Sequence, residues 1–166
     1  MANNISPSTG QPYYSGDWEQ DIKHLIKSTN VGEGIMNTVN MTEVTKYQEQ
    51  VDRLIDAQLQ ALYKTPFKQL KVFNYEVDDF VRIFPGKLVE IATYWTAGLV
   101  LKSEFQQQEP SVTEYVQNYM DYAMRMLAEI RAATERMEGQ EWRAEISVFM
   151  PPNVMPLVRP EPPSTL

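Results

Sequence analysis

The chain contains no cysteine and only one histidine, His24, among its 166 residues. A chain without cysteine forms no disulfide and has neither a thiolate nucleophile nor a cysteine-ligated zinc or iron–sulfur site. A single histidine cannot supply a multi-histidine metal site within one chain, and we interpret His24 as a structural or surface residue. These two absences lead us to predict no catalytic, cofactor-binding or metal-binding residue.

Long apolar runs and a surplus of basic residues are also missing. No apolar run approaches the roughly 18–20 residues that cross a bilayer, so we predict no membrane association. The first residues, MANNISPSTGQPYYSG, lack the basic and apolar regions of a signal peptide. The 22 acidic residues outnumber the 15 Lys and Arg residues, and the net charge of −7 argues against tight non-specific binding to DNA.

The local patterns of common enzyme sites are absent too. The VGEG segment, residues 31–34, follows no predicted strand and has no lysine partner, so it does not match a phosphate-binding loop. Ser111 lies in no nucleophile elbow, and a helix-capping role explains it. The enzymatic alternative is an enzyme accessory subunit or a divalent-metal hydrolase that uses the carboxylates of Glu76, Asp78 and Asp79. Because neighbouring carboxylates in a loop more often form a solvated turn, we predict that the protein is not an enzyme.

Apolar residues recur at intervals of three and four in four segments, which predicts amphipathic helices. Gly98, inside the third of them, is typical of a point where another helix approaches closely. The predicted fold class is therefore mainly α, a small bundle of three to four helices. The helices are expected from Asp17 to Ser28, from an Asn40 cap to about Tyr63 with Pro66 ending the helix, from Pro85 to Phe105 and from Ser111 to Gly139.

Residues 67–84 follow a different pattern, in which β-branched and aromatic residues alternate loosely with charges. This composition predicts a short β-hairpin inserted between helices, with its turn near Asp78–Asp79. A further short strand is predicted in EWRAEISVF, residues 141–149. The expected fold thus contains minor β structure beside the helices.

The two ends of the chain are predicted as arms on a helical domain of residues 17–148. Residues 1–16 are polar and rich in Asn, Ser, Pro and Gly, which predicts a flexible N-terminal arm. Three aromatic residues near this end allow two interpretations, which the sequence leaves open. Tyr13, Tyr14 and Trp18 are either an aromatic anchor for a partner or the hydrophobic start of the first helix.

Six of the eleven prolines fall between Pro151 and Pro163, which predicts an extended, Pro-rich C-terminal arm over residues 149–166. Its apolar side chains make the arm too hydrophobic for a simple solubilising tail. The arm either folds back on its own domain or docks on another protein. We predict that it binds a partner through seven residues, Phe149, Met150, Val154, Met155, Leu157, Val158 and Arg159.

Three helices between Thr42 and Gly139 share features with a known family. The first carries an Ile-Asp-x-x-Leu element closed by a tyrosine and a proline, the second is rich in Ala, Leu and Tyr, and the third has a Leu-x-x-Ile element near a glycine. This arrangement resembles the head–tail connector (adaptor) proteins of long-tailed bacteriophages. The matching residues are Ile55, Asp56, Leu59, Tyr63 and Pro66, then KLVEIATYWTAGLVL (residues 87–101), then Tyr115 or Tyr119 with Leu127, Ile130 and Gly139.

The resemblance implies a structural protein of the virion neck, made in the host cytoplasm and without catalytic residues. It implies a homo-oligomeric ring, typically a dodecamer, that sits beneath the portal protein and contacts the next neck or tail-completion protein. Genomic DNA would pass through the ring without specific binding. The alternative is a generic helical protein-binding module whose Pro-rich tail captures one partner protein.

Overall fold

The computed structural model describes residues 5–7, 9–27, 39–105, 113–133 and 137–142, and this part of the chain is mainly helical, as predicted. A π-helical segment, Trp18–Ile22, leads directly into the first helix, and a second one, Leu101–Phe105, continues the third. The helices are α1 (Lys23–Lys27), α2 (Met41–Leu59), α3 (Gly86–Val100) and α4 (Thr113–Ala132). The strands β1 (Leu70–Asn74) and β2 (Asp79–Ile83) form the predicted hairpin.

Polar side chains cap the N-termini of the two helical segments that come first in the chain. The first helical stretch consists of the π-helical segment and α1, and the second is α2. The Asp17 carboxylate accepts hydrogen bonds from the backbone N–H groups of Glu19 and Gln20, at 2.8 and 3.2 Å. Asn40 caps α2, where its side-chain oxygen accepts a hydrogen bond from the Thr42 N–H at 2.9 Å. Because the first N–H groups of a helix have no partner within it, Asp and Asn are favoured at these positions.

Helix α3 is the central element of the core. Buried side chains on it contribute to two hydrophobic clusters, one shared with α2 and α4 and the other with the first helical stretch. Gly98 allows α4 to approach closely, as predicted, because a β-carbon at this position would lie 3.0 Å from the Met120 sulfur. No described helix combines the length and the apolar character that crossing a membrane requires.

The structure ends α2 earlier than the sequence predicts. The helix stops at Leu59, and the chain turns so that Tyr63 leaves the helical path and bridges Trp142. The Tyr63 and Trp142 rings lie 5.6 Å apart, and the Lys64 N–H donates to the Glu141 carbonyl at 2.8 Å. No local pattern reveals this contact, because Glu141 and Trp142 lie far along the chain from Tyr63.

Helix α4 also ends earlier than predicted, at Ala132 rather than at Gly139. Gly139 lies in a turn with φ +70°, so it serves a turn and not a helix end. Hydrogen bonds to the segment before β1 stabilise this turn. The Gln140 side chain donates to the Lys68 carbonyl at 2.6 Å and accepts a hydrogen bond from the Lys68 N–H at 2.8 Å. The Ser111 cap and residues 143–149 of the predicted strand lie outside the described residues.

The N-terminal segment differs from the predicted flexible arm over residues 13–15. Tyr14 is fully buried, and Tyr13 and Ser15 are each only 8% exposed. Trp18 is buried as well, so the three aromatic residues that allowed two interpretations all pack within their own chain. The polar composition of residues 1–16 gives no indication that Tyr13 and Tyr14 are buried. Their burial, together with the hydrogen bonds of Tyr14, holds the segment against the helices.

The position of Gly139 generates a stability prediction. Gly10 and Gly139 both have positive φ, but an added β-carbon would meet open space at Gly10 and would lie 1.9 Å from a Leu70 methyl at Gly139. Each Gly→Ala change costs about 1 kcal/mol for its backbone conformation. We expect Gly139→Ala to lower the free energy of unfolding by roughly 1 kcal/mol more than Gly10→Ala, because Leu70 must change its rotamer.

Urea denaturation of both variants measures this difference. In a Leu70→Ala background the extra cost at Gly139 is expected to disappear, since the obstructing methyl is gone. Equal losses for Gly10→Ala and Gly139→Ala in the native background would contradict the contact between Gly139 and Leu70.

Candidate interaction surfaces

Tyr14 fastens the N-terminal segment to α2 through both of its ends. Its backbone N–H donates to the Asp52 carboxylate at 3.2 Å, and its hydroxyl donates to the Asp56 carboxylate at 2.8 Å. The same hydroxyl accepts a hydrogen bond from the Phe67 N–H at 3.0 Å. Asp52 and Asp56 are four residues apart, which places both carboxylates on one face of α2. We call Tyr14, Asp52 and Asp56 together the clasp.

Further hydrogen bonds hold the residues that follow Tyr14. The Gln48 side-chain amide donates to the Ser15 hydroxyl at 2.8 Å, and the Gly16 N–H donates to the Thr93 hydroxyl at 2.9 Å. Gln48 belongs to α2, whereas Thr93 belongs to α3. The N-terminal segment therefore crosses and connects these two helices.

Burial controls the ionisation of the clasp. It raises the pKa of Asp52 to about 8 and that of Asp56 to about 6, although hydrogen bonds from Tyr14 oppose both shifts. The negative charge of Asp56 also raises the pKa of Asp52. Burial, followed by the charge of Asp56, raises the pKa of the Tyr14 hydroxyl well above its ordinary value, so the phenol keeps its proton and remains a donor.

The clasp also fixes the hairpin, because the Tyr14 ring meets the residues just outside both ends of it. Phe67 precedes β1 and lies 5.8 Å from Tyr14 between ring centroids, at an interplanar angle of 73°. Phe84 follows β2 and lies 5.0 Å from Tyr14, at 84°. Edge-to-face contacts of this kind are favourable for aromatic rings. One buried tyrosine thus orients the base of the hairpin.

Beyond this base the hairpin pairs strand against strand. Val72 lies opposite Val81, and Phe73 lies opposite Phe80. The turn occupies residues 75–78, slightly before the predicted position at Asp78–Asp79, and Asp78 adopts a positive φ of 52°. The Asn74 side chain supports the turn by accepting a hydrogen bond from the Glu76 N–H at 2.8 Å.

The hairpin leaves large apolar side chains in solvent. Tyr75 is 88% exposed, Val77 61% and Phe80 55%, and Val72 and Ile83 are also exposed. The Phe73 ring contacts Tyr75 at 5.0 Å and Phe80 at 5.3 Å, which makes a small aromatic surface. Two-stranded hairpins are at best marginally stable alone in water, and grouped exposed apolar side chains mark interaction sites. We therefore treat the hairpin as a candidate interaction surface.

The three carboxylates proposed as a metal-site alternative lie at or beside the hairpin turn. Glu76, Asp78 and Asp79 are all exposed. Asp79 accepts a hydrogen bond from the Phe80 N–H at 2.7 Å. Within the described part of the chain, no group of three or more His, Cys, Asp or Glu side chains is placed to hold a metal ion. The structure gives this alternative no support.

A groove of about 500 Å³ opens at the base of the hairpin, between the first helical stretch and α3. One wall carries Asp21, His24 and Leu25, and the opposite wall carries Phe84, Val89, Glu90 and Tyr94. The lining is mostly apolar, and His24 is exposed at the surface. We call this surface the α1–α3 groove. Nothing in the local sequence pattern indicates it, because its walls come from segments about sixty residues apart in the chain.

The seven residues predicted to bind a partner, from Phe149 to Arg159, lie outside the described residues. Comparison of the chain with family models, with curated proteins and with solved structures finds no match in any of the three.

The clasp predicts an unusual dependence of stability on pH. Both carboxyls have a raised pKa in the folded state, so their contribution to stability is fully present below about pH 4 and is lost as the pH rises toward 8. We expect Asp52→Asn to remove most of this loss, because the amide keeps the shape and the acceptor but cannot ionise. The effect is on the order of a few kcal/mol, since a tenfold change in an acid constant corresponds to about 1.4 kcal/mol.

Urea denaturation between pH 4 and pH 8 checks this expectation. Asp121→Asn, at an exposed position of α4, is the matched control and is expected to keep the native pH profile. An Asp52→Asn variant whose stability falls with pH as steeply as that of the native protein would show that Asp52 does not ionise in this range.

Proposed function

We propose that this protein is a head–tail connector (adaptor) subunit in the virion neck of a long-tailed bacteriophage. In this proposal, copies of the chain form a homo-oligomeric ring that docks beneath the portal protein and extends the DNA channel toward the tail. The ring would also contact the next neck or tail-completion protein. The proposed role is structural, so it requires no substrate and no cofactor.

The observation that carries this proposal is a hairpin whose base packs against the core while its apolar side chains are exposed to solvent. Its ends are held by Phe67 and Phe84 against the buried Tyr14 ring, whereas Tyr75, Val77 and Phe80 remain exposed. A protein that acts only as a monomer gains nothing from exposing such side chains on a firm base. A ring subunit, in contrast, covers them with a neighbouring copy, and we assign the hairpin to this contact.

The residues that carry the family resemblance support the proposal through their places in the fold. Ile55, Leu59 and Tyr63 are buried in the main cluster, where Tyr63 contacts Phe67 at 5.6 Å between ring centroids. The Asp56 carboxylate accepts the hydrogen bond from the Tyr14 hydroxyl. The Ile-Asp-x-x-Leu element therefore helps to position the base of the hairpin, whereas the hairpin itself, in residues 67–84, is longer and more β-like than the loop usual in that family.

The charge of the chain fits passage of DNA through the ring. A net charge of −7 repels the phosphate backbone, and non-specific affinity for DNA requires Lys and Arg to neutralise phosphates. The Pro-rich C-terminal arm, residues 149–166, is proposed to attach each subunit to the portal. Attachment by many arms at once offsets the entropy cost of ordering each one.

The hairpin assignment is tested by a variant that carries both Tyr75→Ser and Phe80→Ser. Both side chains are exposed and belong to neither core cluster, so the helical core is expected to fold as in the native chain. Assembly onto portal rings of the same phage is expected to weaken at least tenfold. A neighbouring copy would bury both aromatic side chains, and losing two such contacts costs more than about 1.4 kcal/mol of binding free energy. The measurement is co-sedimentation of purified subunits with portal rings over a concentration series.

Met41→Ser provides the matched control, since Met41 is 39% exposed and lies at the start of α2, outside the hairpin. Its assembly is expected to match that of the native chain. Unchanged assembly of the hairpin variant would reject the ring contact. Binding of a single copy to one partner, with no ring, would instead favour the generic helical binding module.

A further inference from the structure

The α1–α3 groove has the features of a site for an extended apolar peptide that carries one positive charge. Ile83, Val89 and Tyr94 supply aliphatic and aromatic surface, and the buried Phe84 lies beneath it. Asp21 and Glu90 place a carboxylate on each of the two walls. Grooves lined by aromatic residues are a recurring means of binding Pro-rich segments.

The two carboxylates of the groove have no cationic partner among the described residues. Asp21 accepts a hydrogen bond from the Asp17 N–H at 2.8 Å, and Glu90 accepts one from the Tyr122 hydroxyl. The salt bridges within the described part of the chain involve Glu19, Glu43, Glu49 and Glu141 instead. A cation entering the groove would therefore meet two carboxylates that form no salt bridge with a described residue.

The C-terminal arm of the same chain has the complementary chemistry. Between Phe149 and Arg159 the only charged residue is Arg159, and the segment also contains three prolines. Proline predisposes a chain to the extended polyproline II conformation, so such a segment loses little further conformational freedom on binding. The apolar residues Val154, Leu157 and Val158 match the lining of the groove.

The arm is long enough to reach the groove of its own subunit. The Trp142 ring is connected to the Phe84 ring through Tyr63, Phe67 and Tyr14, in steps of 5.0–5.8 Å between ring centroids. Trp142 and Phe84 are thus no more than about 22 Å apart. Twelve extended residues, from Trp142 to Val154, span about 40 Å, which leaves slack for a route over the surface.

We propose that the C-terminal arm of the same chain docks in the α1–α3 groove before assembly, with Val154–Val158 on the apolar lining and Arg159 between Asp21 and Glu90. Because both belong to one chain, the arm is present at an effective concentration in the millimolar range, so a weak contact suffices. Docking covers an apolar segment in the free subunit. Release of the arm on portal binding rests on the proposed function, but the docking itself does not.

The absence of cysteine makes a direct test possible, because two introduced cysteines are the only thiols in the full-length chain. His24→Cys places one in the groove, at an exposed position, and Leu157→Cys places the other in the arm. A short bismaleimide cross-linker is expected to join them within one chain at least ten times faster than in a control pair. The control combines Leu157→Cys with Gln50→Cys, which is exposed on α2 and does not line the groove.

Mass spectrometry of the cross-linked protein over a dilution series identifies the occupant. The proposal requires intrachain product whose yield does not change on dilution, and Arg159→Ala is expected to slow its formation. Interchain product that rises with concentration would overturn it in favour of the arm of a second copy. Equal rates in the groove and control pairs would overturn docking in this groove altogether. Since no portal is present, either failure leaves the hairpin experiment unaffected.

Discussion

Hydrogen bonds from one buried tyrosine to two aspartates connect the N-terminal segment, α2 and the base of the hairpin. Tyr14 connects the N-terminal segment to α2, and its ring contacts Phe67 and Phe84 at the two ends of the hairpin. Phe84 also forms part of the wall of the α1–α3 groove. Both candidate interaction surfaces therefore depend on the clasp, although neither includes it.

The clasp is costly as well as useful. Removing two carboxylates from water is unfavourable, and the raised pKa values of Asp52 and Asp56 express that cost. An apolar contact at the same place would be easier to bury but would not direct the chain, because it lacks the geometric demands of a hydrogen bond. The donors of Tyr14 set the position of the segment, and this position sets the base of the hairpin.

The sequence predicts those features that depend on local pattern. Periodicity indicates the helices, the alternation of residues 67–84 indicates the hairpin, and Gly98 indicates the close approach of α4. It does not reveal features that depend on distant residues. Examples are the burial of Tyr14 and the bridge between Tyr63 and Trp142 just beyond the end of α2. One signal was present: Asp52 lies within the apolar stripe of α2, where a carboxylate requires a buried partner.

The proposed ring in the virion neck can be tested by cryo-electron microscopy of purified virions combined with quantitative mass spectrometry of their proteins. We expect this chain to be present in a copy number that matches portal symmetry and to occupy a ring of density directly beneath the portal, with the hairpin against a neighbouring copy. Absence of the chain from purified virions, or its presence as a single copy outside the neck, would reject the proposed ring.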